Sequence, residues 1–217
     1  VPVAVLLSGG VDSSALLGAL RQADPGRRVR TFTIGFDDPR DERPYARRVA
    51  EALRTDHQEL ILDTMEIVRR FDEGIRALDD LSTADGGFWS LTMASKLIRE
   101  QGIKVVLVGE GADELFGGYH LFKLSQRPFR WLPPAGQAAG YYWLTTGVRN
   151  RDLFRYGRLY QPAFGAHADA FAGIAAFEMT RQLPNNLLLK VDKATMAHGV
   201  EARVPYLDHH LAEFVHS

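Results

Sequence analysis

Ser8-Gly9-Gly10-Val11-Asp12-Ser13-Ser14 is the stretch of this sequence that decides the fold. It follows an apolar, strand-like run at residues 3–7 and opens an alanine- and leucine-rich helical pattern at residues 15–20. A glycine-rich turn between a strand and a helix offers backbone N–H groups and the positive end of the helix to an anion. The stretch therefore predicts a phosphate-binding loop.

This loop differs from the two common phosphate-binding loops. It has neither the lysine of G-x-x-x-x-G-K-[ST] nor the spacing of G-x-G-x-x-G. It carries a carboxylate, Asp12, and an acid that faces phosphates is explained by a divalent metal between them. The alternative is a polar turn in which Asp12, Ser13 and Ser14 only cap a helix.

Strand-like and helical patterns alternate in the first half of the chain. Apolar β-rich runs lie at residues 3–7, 29–35, 58–62 and 104–108, and helical patterns at 14–22, 42–54, 66–76 and 89–101. Such alternation predicts an α/β fold with a parallel, doubly wound sheet and helices on both faces. We expect the strand order 3-2-1-4, which places a ligand site at the switch point between the first and fourth strands.

The second half has a different character. Residues 126–165 are rich in proline, with Trp131, Tyr141, Tyr142 and Trp143 interleaved, and predict irregular or short helical structure. These aromatic residues lack a flanking basic stripe, so we interpret them as core rather than as a stacking platform for bases. Helical patterns resume at residues 168–181, 186–197 and 207–215. We therefore expect a nucleotide-binding core at 1–125 and a C-terminal helical annex at 126–217.

Composition excludes several classes of function. With 26 basic and 27 acidic residues among 217, the formal charge is −1, which argues against nucleic-acid binding. The chain has no cysteine, hence no disulfide or thiolate site, and no run of about 18 apolar residues that would span a membrane. Its seven histidines show no metal-ligand spacing. A cytoplasmic protein is the default expectation, and a homodimer is left open.

Three segments in order resemble the asparagine synthetase family of ATP pyrophosphatases, which cut ATP between its α and β phosphates. The first is the loop at residues 8–14. The second, Val108-Gly109-Glu110-Gly111-Ala112-Asp113-Glu114-Leu115-Phe116-Gly117-Gly118-Tyr119, is similar to the family's GEG-x-DELFGGY signature. The third, residues 191–208, resembles its D-x-x-x-M-A-x-G-x-E-x-R-x-P-[FY]-L-D segment. Together they cover the chain from near one end to the other.

The resemblance implies roles for individual residues. The β and γ phosphates of ATP would be held by Ser8, Gly9, Gly10, Ser13 and Ser14. The Mg²⁺ ligands would be Asp12 and Asp113. The nucleotide would be lined, largely through backbone, by Leu7, Ile34, Val108 and Gly109. Valine at position 108 departs from the pattern, because many family members have serine there.

Glu110 decides the reaction class. By resemblance it is a catalytic glutamate, suited to removing protons when ammonia attacks an acyl-adenylate. β-Lactam synthetases have tyrosine at this position, so Glu110 favours ammonia as nucleophile. The alternative is a buried glutamate that stabilises the turn. Two interpretations of Glu114 stay open. It either contacts the metal ligands without binding the metal itself, or it is an acid on the protein surface.

Two cationic residues of the third segment are weaker candidates. Arg203 could hold a substrate carboxylate or pyrophosphate, or could form a structural salt bridge with Glu201 or Asp208. Lys193 could reach pyrophosphate.

The resemblance implies the synthetase domain of a glutamine-dependent asparagine synthetase. Aspartate and ATP would give β-aspartyl-AMP and pyrophosphate, and ammonia would then displace AMP. Full family members carry a glutaminase domain with a cysteine nucleophile and a catalytic lysine downstream of the third segment. Neither occurs here, and we expect a truncated, poorly active chain. The alternatives are a β-lactam synthetase or peptide cyclase, and a non-catalytic nucleotide-binding module.

Overall fold

The computed structural model describes residues 2–35, 41–78, 86–126, 131–146, 155 and 170–215, with only the backbone of Thr64, Glu66 and Gly86. The chain forms two compact units. The first consists of Val1–Glu110 and Asn186–His209, and the second of Gly111–Asn185 and His210–Ser217. The predicted functional division at residue 125 stays a prediction.

A five-stranded sheet forms the centre of the first unit. Its strands are β1 (Val3–Leu6), β2 (Arg30–Gly35), β3 (Asp56–Ile61), β4 (Val105–Leu107) and β5 (Glu201–Arg203). The spatial order is β3-β2-β1-β4-β5, and all neighbouring strands are parallel. The predicted order 3-2-1-4 is confirmed. The fifth strand was not predicted, because three residues with charges at both ends give no apolar run.

Ten α-helices are assigned within the described residues, numbered here along the chain. They are α1 (Val11–Ala23), α2 (Arg43–Ala52), α3 (Thr64–Arg69), α4 (Phe71–Ala77), α5 (Gly86–Glu100), α6 (Ala112–Phe116), α7 (Pro134–Thr146), α8 (Ala170–Phe177), α9 (Leu189–Met196) and α10 (His209–Val215). Short 3-10 segments lie at His120–Ser125 and Pro205–Leu207, and wide π-type turns at Glu178–Leu188.

Helices cover both faces of the sheet, as predicted. On one face, Leu17 of α1 and Ala46 of α2 are buried in one cluster with Val5 of β1. On the other face, Ile98 of α5 and Val191 of α9 pack with the sheet residues of a second cluster. Burial of these apolar side chains supplies the main stabilising term for the sheet. It also fixes which strand ends lie together.

Strand register places four strand ends along one edge of the sheet. Leu6 of β1 is level with Phe32 of β2, and Val5 is level with Leu107 of β4. Leu107 in turn is level with Arg203 of β5. The chain runs outward from β1 through β2 and β3, then returns to the other side of β1 with β4, so the switch point lies between β1 and β4.

The second unit has a core of its own, formed by α7, α8 and the 3-10 segment at His120–Ser125. Its buried side chains include Phe122, Tyr141 and Ile174. Of the interleaved aromatic residues, Tyr141 is fully buried, as predicted. Trp131 and Trp143 are exposed, at 65% and 37%, so the core prediction is wrong for both. Most of the predicted irregular stretch after residue 146 lies outside the described residues. No helix in the described ranges is long and apolar enough to cross a membrane.

Candidate nucleotide-binding site

The loop between β1 and α1 is held together by its own serines. The hydroxyl oxygens of Ser8 and Ser13 lie 2.9 Å apart, and the Ser8 N–H donates to Ser13 Oγ at 3.2 Å. The Gly10 N–H donates to Ser8 Oγ at 3.2 Å. Gly10 is the N-cap of α1 and has no side chain to cap it. Ser8 and Ser13 therefore shape the loop from within, while the first turn of α1 keeps the unsatisfied N–H groups of any helix start.

Ser14 behaves differently from the other two serines. Its Oγ is buried and has no hydrogen-bond partner within the described structure. A buried hydroxyl without a partner loses the free energy of its hydrogen bonds to water, which favours a ligand that supplies an acceptor. Phosphate oxygens are such acceptors, and the helix N-terminus favours their charge. The loop thus fits the phosphates predicted for it.

Gly9 allows helix α2 to approach the loop. It has φ = +80°, and a Cβ there would lie 2.4 Å from the backbone nitrogen of Ala46 and 2.5 Å from the carbonyl carbon of Tyr45. Only glycine satisfies both the left-handed backbone and this contact. The first turn of α2 is therefore pressed directly against the loop.

The start of the second motif meets the loop at the switch point. A Cβ on Gly109 would lie 3.5 Å from the backbone nitrogen of Ser13 and 3.6 Å from Asp12 Cβ. Predicted residues of two motifs, 96 and 97 positions apart in the sequence, are thus neighbours in this unit. Val108 is 4% exposed, and its N–H donates to the carbonyl of Arg203 at 3.0 Å. Valine is accommodated here because the position is part of the sheet.

The predicted lining residues Leu7 and Ile34 lie at the ends of β1 and β2. The Leu7 N–H donates to the Phe32 carbonyl at 2.8 Å, and the Leu7 carbonyl accepts from Thr33 Oγ1 at 2.5 Å. Ile34 is half-buried and level with Leu60 of β3. The backbone N–H of Leu7 is thus used by the sheet, and the nucleotide contacts of Leu7 and Ile34 stay predictions.

Tyr206, which the sequence did not single out, reaches the loop from the third motif. Its hydroxyl donates to the backbone carbonyl of Asp12 at 2.8 Å. The ring packs against the cluster formed by α1 and α2. Burial raises the pKa of Tyr206, and the charge of Asp12 adds to this. No spacing rule links positions 12 and 206, so only the motif's presence could have suggested the contact.

Three further candidates belong to the same unit. Glu110 is half-buried in the turn after β4, and Lys193 is half-buried on α9. The Arg203 Nε donates to Glu201 Oε1 at 2.7 Å, with both side chains more than half exposed. The structure thus shows the ion pair that was one of the two alternatives for Arg203. Substrate roles for Glu110, Lys193 and Arg203 stay predictions.

The family model for asparagine synthase matches residues 1–217. The chain belongs to the asparagine synthase family. A putative glutamine-hydrolysing asparagine synthetase of Mycobacterium tuberculosis is 32% identical over 251 residues, which cover 96% of this chain and 38% of the relative. Asparagine synthetase 1 of Bacillus subtilis is 26% identical, covering 96% and 39%. The human asparagine synthetase is 29% identical, covering 98% and 31%.

The chain therefore spans about a third of the length of these asparagine synthetases. All three relatives carry the description glutamine-hydrolysing in their names. The match runs through all three motifs, so the resemblance inferred from the motifs is confirmed.

Asp113 is the second predicted metal ligand. It lies in the second unit, at the start of α6. A Cβ on Gly118 would lie 1.8 Å from Asp113 Oδ1. The N–H groups of Gly117 and Gly118 donate to the Asp113 carbonyl at 2.9 and 3.0 Å. The turn after α6 thus lies directly against the carboxylate. Whether Asp113 shares a metal with Asp12 stays a prediction.

The neighbouring Glu114 is fully buried, which rules out the surface alternative. Its Oε1 accepts from the Tyr119 hydroxyl at 2.8 Å, while its Oε2 has no hydrogen-bond partner within the described structure. Burial raises the pKa of Glu114, which the hydrogen bond from Tyr119 partly offsets. A second buried acid of this unit, Glu178, accepts from the Tyr141 hydroxyl.

No group of three or more histidine, aspartate or glutamate side chains within the described residues could hold a metal alone. Mg²⁺ is commonly bound by one or two carboxylates together with substrate phosphates and waters. The loop at residues 8–14 offers one carboxylate, Asp12, next to the predicted position of the phosphates, which matches this mode of Mg²⁺ binding. The residues present therefore fit a Mg²⁺ ion that is bound together with the phosphates of ATP.

Proposed function

We propose that this chain is the ATP-dependent, amide-forming part of a glutamine-hydrolysing asparagine synthetase. The observation that carries the proposal is the loop at residues 8–14, with a buried, unpartnered hydroxyl and with Gly109 packed against Asp12 and Ser13 at the switch point of the sheet. Family membership and the names of the relatives support the same reaction.

The first step forms an acyl-adenylate. A side-chain carboxylate oxygen of aspartate attacks the α-phosphorus of ATP, the bond to the β,γ-pyrophosphate breaks, and pyrophosphate leaves with the electron pair. The loop holds the leaving pyrophosphate through the N–H groups of the first turn of α1 and through Ser14. Asp12 and Asp113 would hold Mg²⁺, which neutralises phosphate charge when it is bound.

The second step forms the amide. Ammonia attacks the acyl carbon, the bond from that carbon to the AMP oxygen breaks, and AMP leaves. The nitrogen must lose a proton, and Glu110, half-buried in the turn after β4, is the base we assign to it. In the longer protein a glutaminase domain would supply the ammonia, and we place the reaction in the cytoplasm.

The test is ATP–pyrophosphate exchange with Mg²⁺ and a panel of acids: aspartate, glutamate and N-carboxyalkyl amino acids. It is run on the 217-residue chain and on a longer protein that contains it. Asp12→Ala is compared with Asp24→Ala, because Asp24 is an exposed acid at the other end of α1.

Exchange that requires aspartate and is lost only in Asp12→Ala supports the proposal. Exchange with an N-carboxyalkyl amino acid in place of aspartate would replace asparagine synthesis by β-lactam or cyclic amide formation. If neither protein shows exchange with any of the acids, although ATP binding is measurable, the chain is a nucleotide-binding module without this activity.

A further inference from the structure

A two-pronged ion pair ties helix α2 to the edge strand β3. The Arg47 Nε donates to Glu59 Oε1 at 2.9 Å, and the Arg47 NH2 group donates to Glu59 Oε2 at 3.0 Å. The side chain of Glu59 is 20% exposed and that of Arg47 is 57% exposed. The carboxylate therefore lies on the inner side of this ion pair, and the guanidinium lies on the solvent side.

His57 is buried beside the ion pair, with 11% of its side chain exposed. Residues two apart in a strand share a face, so His57 and Glu59 lie on the same side of β3. The His57 Nδ1 lies 2.9 Å from Thr31 Oγ1 of β2, which lies 2.9 Å from Thr55 Oγ1. The His57 Nε2 has no hydrogen-bond partner within the described structure and lies 4.0 Å from Glu59 Oε1. One nitrogen of the imidazole is thus anchored, and the other faces a carboxylate that Arg47 already uses.

The surroundings of His57 keep its imidazole neutral near pH 7. Burial lowers the pKa of His57; the charge of Glu59 partly offsets this, and the charge of Arg47 adds to it. Two further charged residues, Glu51 and Arg54, line the same open cavity of about 500 Å³. The imidazole therefore takes up its proton below about pH 6.5, the ordinary pKa of histidine.

Protonation of His57 changes which cation holds Glu59. A buried imidazolium is unfavourable without a hydrogen-bonded partner, and Glu59 Oε1 is within a small side-chain rotation of Nε2. Arg47 is more than half exposed, so water can replace the carboxylate at its guanidinium with little loss of free energy. The carboxylate therefore turns from Arg47 toward His57 once the imidazole is charged.

The ion pair adjoins the contact between α2 and the phosphate-binding loop. A Cβ on Gly9 of the loop would lie 2.5 Å from the backbone of Tyr45 and 2.4 Å from that of Ala46, the residue before Arg47. The buried residues of α2 are Ala46 and Ala50, whose side chains are small. Loss of the ion pair at Arg47 therefore loosens the turn of α2 that packs on the loop.

We propose that Glu59 is a positioning residue of the phosphate-binding loop, and that a proton on His57 draws it away from Arg47 and weakens phosphate binding. This inference rests on the proposed function, since it concerns the loop that would bind ATP. The ion pair is intact above pH 7 and is released at acidic pH. The affected ligand is a polyphosphate, so pyrophosphate alone is a sufficient probe.

The first test follows the imidazole of His57 by NMR titration of the whole chain. Arg47→Gln should raise the pKa of His57, because Glu59 then serves the imidazolium alone, and Glu59→Gln should lower it. Asp56→Asn is the matched control, because Asp56 is an acid of the same strand that pairs with Arg28 at 3.4 Å and not with α2. An equal pKa of His57 in the wild type and in Arg47→Gln would overturn the competition for Glu59.

The second test is calorimetric titration with pyrophosphate at pH 5 and pH 8. Each affinity is divided by that of the wild type at the same pH, because pyrophosphate itself takes up protons in this range. At pH 8, Glu59→Gln should bind pyrophosphate about 2- to 5-fold more weakly, the effect expected of one partly exposed ion pair. At pH 5 this difference should vanish, because the wild type has then released the ion pair. Arg47→Gln should show the same pattern, and Asp56→Asn should follow the wild type at both values.

His57→Asn tests the proton directly, because asparagine stays neutral and can still form a hydrogen bond with Thr31. It should bind pyrophosphate like the wild type at pH 8 and more tightly than the wild type at pH 5. A His57→Asn profile parallel to that of the wild type, or an equal effect of Glu59→Gln at both pH values, would overturn the role of His57 and Glu59. Failure of the wild type to bind ATP or pyrophosphate at pH 8 would instead overturn the proposed function.

Discussion

The hydroxyl of Tyr206 donates a hydrogen bond of 2.8 Å to the backbone carbonyl of Asp12, a residue 194 positions earlier in the chain. Asp12 carries the carboxylate assigned to Mg²⁺, and its backbone belongs to the first turn of α1. Tyr206 thus fixes the part of the loop from which the predicted metal ligand projects. The third motif contributes to the predicted nucleotide site through this contact.

Tyr206→Phe should weaken ATP binding a few-fold and destabilise the protein by about 1 kcal/mol, because one hydrogen bond is lost while the ring still packs. Tyr206→Ala should cost about 2 kcal/mol or more, since it also leaves a cavity beside α1 and α2. Calorimetry with ATP and thermal unfolding measure both. Tyr45→Phe is the control, since Tyr45 is 60% exposed. Wild-type ATP affinity in Tyr206→Phe would show that the bond does not position the loop.

Gly9→Ala should abolish phosphate binding. Its Cβ would overlap the backbone of Tyr45 and Ala46, which cannot yield as a flexible side chain can, and φ = +80° adds strain. Gly18→Ala is the matched control, because Gly18 lies within α1 with nothing within 4 Å of an added Cβ.

Gly18→Ala should raise stability by about 0.5–1 kcal/mol, as expected for alanine in place of glycine within a helix. Pyrophosphate titration and urea unfolding separate the two effects. Pyrophosphate affinity within a factor of two of the wild type in a folded Gly9→Ala protein would contradict the packing described for this loop.

The sheet could be predicted because each of its first four strands is an apolar run between helical patterns. Strand β5 could not, since Glu201 and Arg203 show no apolar run and pair only because β4 offers an open edge. The sequence predicted separate helices at residues 168–181 and 186–197, yet π-type turns cover Glu178–Leu188, which includes Pro184.

The residues of the candidate site also fall into those that the sequence predicts and those that it does not. The loop and the GEG turn have local patterns, so their residues could be named from the sequence. The contact of Tyr206 with Asp12 could not, because it depends on which elements the fold brings together. Distant contacts of this kind leave no spacing rule in a single sequence.

Gly118→Ala should raise the Mg²⁺ concentration that half-saturates ATP–pyrophosphate exchange by about tenfold or more. The added Cβ would lie 1.8 Å from Asp113 Oδ1 and 2.8 Å from its Cγ, so the carboxylate must rotate away. Displacing one charged ligand costs on the order of a charged hydrogen bond. Asp113→Asn should act in the same direction.

ATP binding without Mg²⁺ should be unaffected by Gly118→Ala, which separates metal binding from nucleotide binding. Gly26→Ala is the control, because nothing lies within 4 Å of an added Cβ there. An unchanged Mg²⁺ dependence in a folded Gly118→Ala protein would argue against Asp113 as a metal ligand.

Glu178→Gln should make stability less dependent on pH. Burial raises the pKa of Glu178, the hydrogen bond from Tyr141 lowers it, and the charge of Glu114 raises it. A carboxyl group with a raised folded pKa gives its full stabilisation below the unfolded pKa, and this is lost as pH rises through the folded pKa. Glutamine stays neutral throughout and can still accept from Tyr141, so the variant should lack this loss.

The measurement is thermal unfolding of the wild type and Glu178→Gln at pH 5 and pH 8. The wild type should lose thermal stability between the two values, and the variant should exceed it at pH 8 by about 2–4 °C, the shift expected in a chain of this size for about 1 kcal/mol. Glu213→Gln, an exposed acid on α10, corrects for the change in net charge. Parallel pH profiles for the wild type and Glu178→Gln would contradict a raised pKa of Glu178 in the folded protein.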